Sequence, residues 1–179
     1  MSEFQERDSG WALSRILHLM INVNKHQPIH AGCTVSLPQK VQAKKAVINI
    51  KCDDGACFFW LVVASLYPAS QNKNPNRTTS YPHYSNVLHT EGVQLPMTLN
   101  QISKFEKRND ISINVYGWGR ETCKPLHLTS KKRNKHVNLL LLTNSNDPSH
   151  HHFACIKNLS RLLSAQVNNK QHAIYICDL

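Results

Sequence analysis

The feature that most constrains this chain is the apolar run Phe58-Phe59-Trp60-Leu61-Val62-Val63-Ala64-Ser65-Leu66 and the way it is entered. A polar turn, Cys52-Asp53-Asp54-Gly55-Ala56, leads straight into it through Cys57, and Pro68 follows its end. Proline cannot continue a helix, so the pattern predicts a core helix from Cys57 to about Tyr67. Cys57 then stands at the helix N-terminus, where unpaired backbone N–H groups and the helix dipole favour negative charge. The thiolate is the nucleophilic form of cysteine, and this position favours it.

The rest of the composition sets bounds. At 179 residues and 41% hydrophobic content, the chain can bury a real core. We expect a single domain over 1–179, monomeric, with residues 1–8 flexible and 70–86 forming an exposed loop. No apolar run approaches the ~20 residues needed to span a bilayer. The N-terminus mixes acids and bases (Glu3, Glu6, Arg7, Asp8) and lacks a signal-peptide core, so an intracellular location is the expectation. The six cysteines, at positions 33, 52, 57, 123, 155 and 177, include no CxxC pair and no compact disulfide spacing. They are therefore expected to be mostly reduced, small buried hydrophobes, with Cys57 the exception. The net charge of +10 suits an acidic partner. Its bases are scattered, however, apart from Lys131-Lys132-Arg133 with Lys135, which reads as a solvated loop. Nucleic-acid binding is left open and unsupported.

Periodicity predicts a helix from Gly10 to Met20, an irregular arm from Ile21 to Pro38, and a strand Ala46–Ile50 feeding the Cys57 turn. The 70–86 loop carries a short helix near Tyr84. Thr98 caps a helix running through Ile102 and Phe105. Ile111–Tyr116 alternates as a half-buried strand, Gly117 and Gly119 turn the chain, and Leu126–Leu128 is a short strand. His136–Leu142 is a central strand, His152–Lys157 another, Leu159–Val167 a helix and Ala173–Cys177 a last strand. Helices first and strands later imply an α+β fold with an antiparallel sheet.

Hydrolysis of an acyl bond by cysteine needs an activated thiolate, an imidazole, a group orienting that imidazole, and donors for the oxyanion. Cys57 supplies the first. His152 is the candidate for the second, opening the strand that follows His150-His151. His150 and His151 remain alternatives, since a one-residue frame error flips the face. Asn158, just past the strand, is the candidate orienter, with Asp147 the alternative. The Cys57 backbone N–H is the first oxyanion donor, and Asp54 on the turn has a supporting role. The histidine run has a rival reading as a metal site, in which His150 and His152 share a face, but further ligands are missing. No metal and no cofactor are expected.

Several stretches together resemble a domain of proteins encoded by mobile genetic elements, near viral-type family B DNA polymerases. They are Ser9–Leu13 with Ile21–Lys25, Lys44–Ile50, Asp54–Trp60, Lys104–Glu106 with Ile111–Tyr116, His136–Leu142, and His152–Leu162. Such domains look like papain-fold cysteine peptidases. The Asp54-Gly55-Ala56-Cys57 turn is also similar to the Asp-Gly-Asn-Cys turn of ovarian-tumour deubiquitinases, with Ala56 in place of the Asn. Viral tegument-type deubiquitinases are a further kin group. The resemblance implies a papain-like α+β fold, N-terminal helices packed on the sheet that carries the histidine. It also implies a Cys-His-Asn/Asp triad and hydrolysis of ubiquitin or ubiquitin-like conjugates. The alternative is a non-catalytic papain-fold module serving a polymerase or nucleic acid. A ubiquitin tail ends in Gly-Gly and needs a narrow channel, which Phe58, Phe59 and Trp60 would either wall or leave by filling the helix core. In the family the C-terminal segment often runs into a Cys2His2 zinc finger. Cys177 would be its first ligand, and the second is absent from this sequence.

Overall fold

The structure is a computed structural model that describes residues 30–31, 35–52, 54–143, 150–167 and 175–176. The expected helix 10–20 and last strand 173–177 lie outside these residues. In chain order the elements are β1 (His30–Ala31), α1 (Gln39–Ala43), β2 (Val47–Ile48), α2 (Cys57–Leu66), α3 (Leu99–Asn109), β3 (Ser112–Gly119), β4 (Thr122–His127), β5 (His136–Thr143), β6 (His150–Ile156) and α4 (Leu159–Val167). Short 3₁₀ turns at Thr78–Ser80 and Tyr84–Asn86 punctuate the long connection after α2. The fold is α+β.

The core has two sides because β5 and β6 are apolar on both faces. Leu139, Leu141, Phe153 and Cys155 join α2 in one cluster, while Leu140, Leu142, Ala154 and Ile156 meet Leu159 and Leu162 of α4 in another. Every residue of α2 from Cys57 to Ala64 is buried, the mark of a helix wrapped on all sides. Phe58 anchors it, with edge-on ring contacts to Phe59, Phe105 and Phe153 at 5.9, 5.3 and 5.4 Å. Phe59 packs on Tyr84 and Phe105, and Trp60 on His83 and Tyr84. These three aromatics fill the helix core rather than wall a channel.

α3 begins where expected. Thr98 precedes it, and Gln101 Oε1 accepts the Thr98 backbone N–H at 2.9 Å, half of a capping box. Its buried Glu106 accepts the Ile113 N–H at 2.7 Å, tying the helix to the start of β3.

The sheet order is β1-β6-β5-β3-β4, with β2 also on β6. It is mixed, not antiparallel as expected. β3 and β4 form a hairpin, and residues 128–135 then carry the chain back so that His136 starts beside Ser112, making β5 parallel to β3. β1 is parallel to β6 as well, and β2 and β5 are antiparallel to it. The hairpin turn also differs from expectation. Gly117 and Gly119 lie within β3, and Arg120 and Glu121 take the left-handed conformations (φ 49° and 63°). Gly117 is required for another reason: a Cβ there would sit 2.8 Å from Leu126 Cδ1. Pro125 is tolerated because β4 is the sheet edge.

Candidate functional site

The turn into α2 is built by Asp54 and Gly55. Asp54 Oδ1 accepts the Ala56 N–H and Oδ2 accepts the Trp60 indole N–H, both at 3.0 Å. The carboxylate thus holds the turn against the first coil of the helix. Gly55 has φ +68°, a conformation other residues adopt only with strain. The reversal brings the Cα atoms of Cys52 and Cys57 to 5.8 Å, and their sulfurs are joined in a disulfide. This corrects the expectation of a reduced Cys57. A spacing of five residues was not compact in sequence, but a tight glycine turn brings it within disulfide range.

His152 is fully buried on β6. Strand alternation gives Phe153 and Cys155 to the α2 side, and puts His152 with Ala154 and Ile156 on the other. β1 pairs with β6 at His150 and His151, and β2 at Ile156 and Cys155. Between these pairings lies a window on the outer edge of the strand, and there Asn49, just past β2, meets the imidazole. Asn49 Oδ1 lies 2.7 Å from His152 Nε2, while Asn49 Nδ2 donates to the Val35 carbonyl at 2.9 Å. The second bond fixes which end of the amide faces the ring, so Nε2–H donates to Oδ1. A neutral ring then keeps Nδ1 as its basic nitrogen.

Asn49 also leads to the thiol. Cys52 follows it by at most about 10 Å of extended chain, and Cys52 is bonded to Cys57. Cys57 nevertheless belongs to the cluster on the α2 face of the sheet, whereas His152 lies on the opposite face with Ala154 and Ile156, so the structure does not bring the thiol and the imidazole together. Both Cys57 and His152 are closed from solvent, at 1% and 0% exposure. The cleft of about 430 Å³ lined by Ala64, Ser65, Pro68, Lys73, Cys155 and Lys157 lies at the opposite end of α2.

Asn158 is not brought to His152. Its Oδ1 accepts the Arg161 N–H at 2.8 Å, capping α4, and the residue is exposed. The side chain that meets the His152 ring is Asn49, which no sequence signal singled out. Asp147 lies outside the described residues. His151 is half-buried, with Nδ1 3.2 Å from Thr143 Oγ1. Of His150 only the strand position is described. Among the described residues no group of three or more His, Cys, Asp or Glu can hold a metal ion, and no helix is long and apolar enough to cross a membrane. Of the other cysteines, Cys123 and Cys155 are free and buried, and burial pushes both thiols up to about 11. Cys33 and Cys177 lie outside the described residues.

The two asparagines make opposite predictions. If the chain is a cysteine hydrolase, Asn49→Ala is expected to lower turnover about 10- to 100-fold by releasing the ring, and to cost about 1–3 kcal/mol because the buried His152 Nε2–H loses this acceptor. Asn158→Ala removes a helix cap and is expected to cost about 0.5–2 kcal/mol of stability while leaving turnover unchanged. Steady-state kinetics with thermal melts of both variants check this.

No family model, curated protein or solved structure matches this chain.

Proposed function

We propose that the chain is a papain-like cysteine peptidase that cleaves ubiquitin or a ubiquitin-like protein from its conjugates. The observation that carries the reading is the Asn49–His152 hydrogen bond. A buried imidazole held by an amide in one tautomer supplies a base and its orienter for acyl transfer, and on this reading reduction of the disulfide lets Cys57 reach that base around the sheet edge.

In the reduced chain Cys57 attacks the carbonyl carbon as thiolate. His152 takes the thiol proton and delivers it to the leaving amine. Asn49 holds the ring, Asp54 shapes the turn, and the Cys57 backbone N–H faces the developing oxyanion. The step from peptidase to ubiquitin rests on the family resemblance, because fold does not set substrate.

The test is a ubiquitin probe with a C-terminal electrophile, applied after reduction. Covalent capture at Cys57, lost in Cys57→Ala, supports the reading, and a folded, reduced chain that captures nothing overturns it. One observation favours a second reading. The net charge is +10, and the 131–135 loop exposes Lys131, Lys132 and Lys135, as a polyanion-binding module would. In that case the chain would bind DNA with strong salt dependence and ignore the probe.

A further inference from the structure

The mechanism leaves Cys52 without a role, yet its sulfur is bonded to the proposed nucleophile. We propose that Cys52 is a resolving thiol that converts peroxide oxidation of Cys57 into a reversible disulfide. The proposal rests on the peptidase reading for its consequence, loss of activity, but its chemistry is read separately.

Cys57 begins α2, where the dipole favours the thiolate, the form that peroxide oxidises. The thiolate attacks one peroxide oxygen and the O–O bond breaks. Cys57 becomes a sulfenic acid, and the other oxygen leaves as water after taking up a proton. The Cys52 sulfur then attacks the Cys57 sulfur. The S–S bond forms, the S–O bond breaks, and the hydroxyl leaves as a second water with the Cys52 proton. Without a neighbouring thiol the sulfenic acid goes on to sulfinic and sulfonic acids, which ordinary thiols do not reverse.

Geometry favours Cys52 for this role. The Gly55 turn holds the two Cα atoms 5.8 Å apart, within the span a disulfide bridges without backbone movement. Cys155 and Cys123 stay protonated, since burial pushes each up to about 11, and Cys123 lies in the cluster on the far side of the sheet.

Reduction by a dithiol has a direction too. Cys52 is the more accessible residue of the pair, at 9% exposure against 1% for Cys57. A dithiol that attacks Cys52 expels Cys57 as thiolate, the better leaving group at a helix N-terminus. A second exchange within the mixed disulfide frees Cys52 and leaves the reductant oxidised.

The experiment treats the reduced full chain with hydrogen peroxide and then with dithiothreitol, and reads Cys57 by peptide-level mass spectrometry alongside turnover. In the wild type, the Cys52–Cys57 disulfide should form. Dithiothreitol should then restore nearly all Cys57 thiol. Cys52→Ser and Cys52→Ala should match the wild type before oxidation. After it they should recover at least about tenfold less Cys57 thiol, with sulfinic or sulfonic acid in its place. Two substitutions are used because Cys52 is buried and serine at that position risks misfolding. Equal recovery in wild type and both variants overturns the proposal, as does peroxide treatment that yields no Cys52–Cys57 bond. If that chemistry is observed but no form of the chain cleaves a ubiquitin conjugate, the peptidase reading fails and the resolving role stands.

Discussion

Replacing His152 with alanine is expected to lower hydrolysis of a ubiquitin C-terminal amide by at least about a thousandfold. In the proposed mechanism the imidazole has two tasks, holding Cys57 as thiolate and protonating the departing amine, and no described neighbour replaces it. Asn49 fixes the ring but has no proton to exchange at neutral pH. His151 is held on the other face of the strand, by Thr143. Because His152 is fully buried, its loss also leaves a cavity and an unpaired Asn49 Oδ1. His152→Gln separates these effects. Glutamine refills the space and can donate to Asn49, so folding should recover while turnover does not. Turnover restored by glutamine to within about tenfold of wild type would remove the imidazole from the chemistry.

The largest stability effect is expected at Phe58. Its ring is 1% exposed and meets Phe59, Phe105 and Phe153, joining α2 to α3 and to β6 at one point. Phe58→Ala removes these contacts where several rigid elements prevent collapse, and is expected to cost about 3–5 kcal/mol. That is a large share of the ~5–15 kcal/mol stability of a typical domain. The midpoint of thermal unfolding should fall by about 10 °C or more, and urea unfolding of the reduced chain gives the free energy. A loss under about 1 kcal/mol would mean that the cluster is loosely packed and that α2 is not the centre of the core.

The elements most legible in the sequence were those set by local pattern. The α2 run and its end before Pro68 leave little choice, and the unbroken apolar stretch of β5 marks a strand buried on both faces. Pairing direction was not legible. β3 and β5 are parallel because of where residues 128–135 return the chain, and no residue in that loop encodes this. The turn at Arg120–Glu121 was hidden by Gly117 and Gly119, of which Gly117 serves the close approach of Leu126.

The place of Cys57 at a helix start and of His152 on a strand is legible from local pattern, but the Asn49 contact is not. An asparagine after a short strand has no local signature. It becomes meaningful only when β2 pairs antiparallel with β6 and sets it near the histidine. Asn158 carried a signal against its assignment, because an asparagine directly before Leu159–Val167 reads as a helix N-cap. The Cys52–Cys57 pair has no signal in its spacing along the chain, because the Gly55 turn sets the distance in space.

The peptidase reading requires that the sulfur that begins α2 feel the imidazole on β6. The direct measurement is the alkylation rate of Cys57 in the reduced chain at neutral pH, resolved by peptide mass spectrometry, with His152 present and with His152→Gln. Fast labelling is expected in the wild type and a drop of at least about tenfold in the variant, as the thiolate loses its partner. Equal rates in two folded proteins would contradict the peptidase reading.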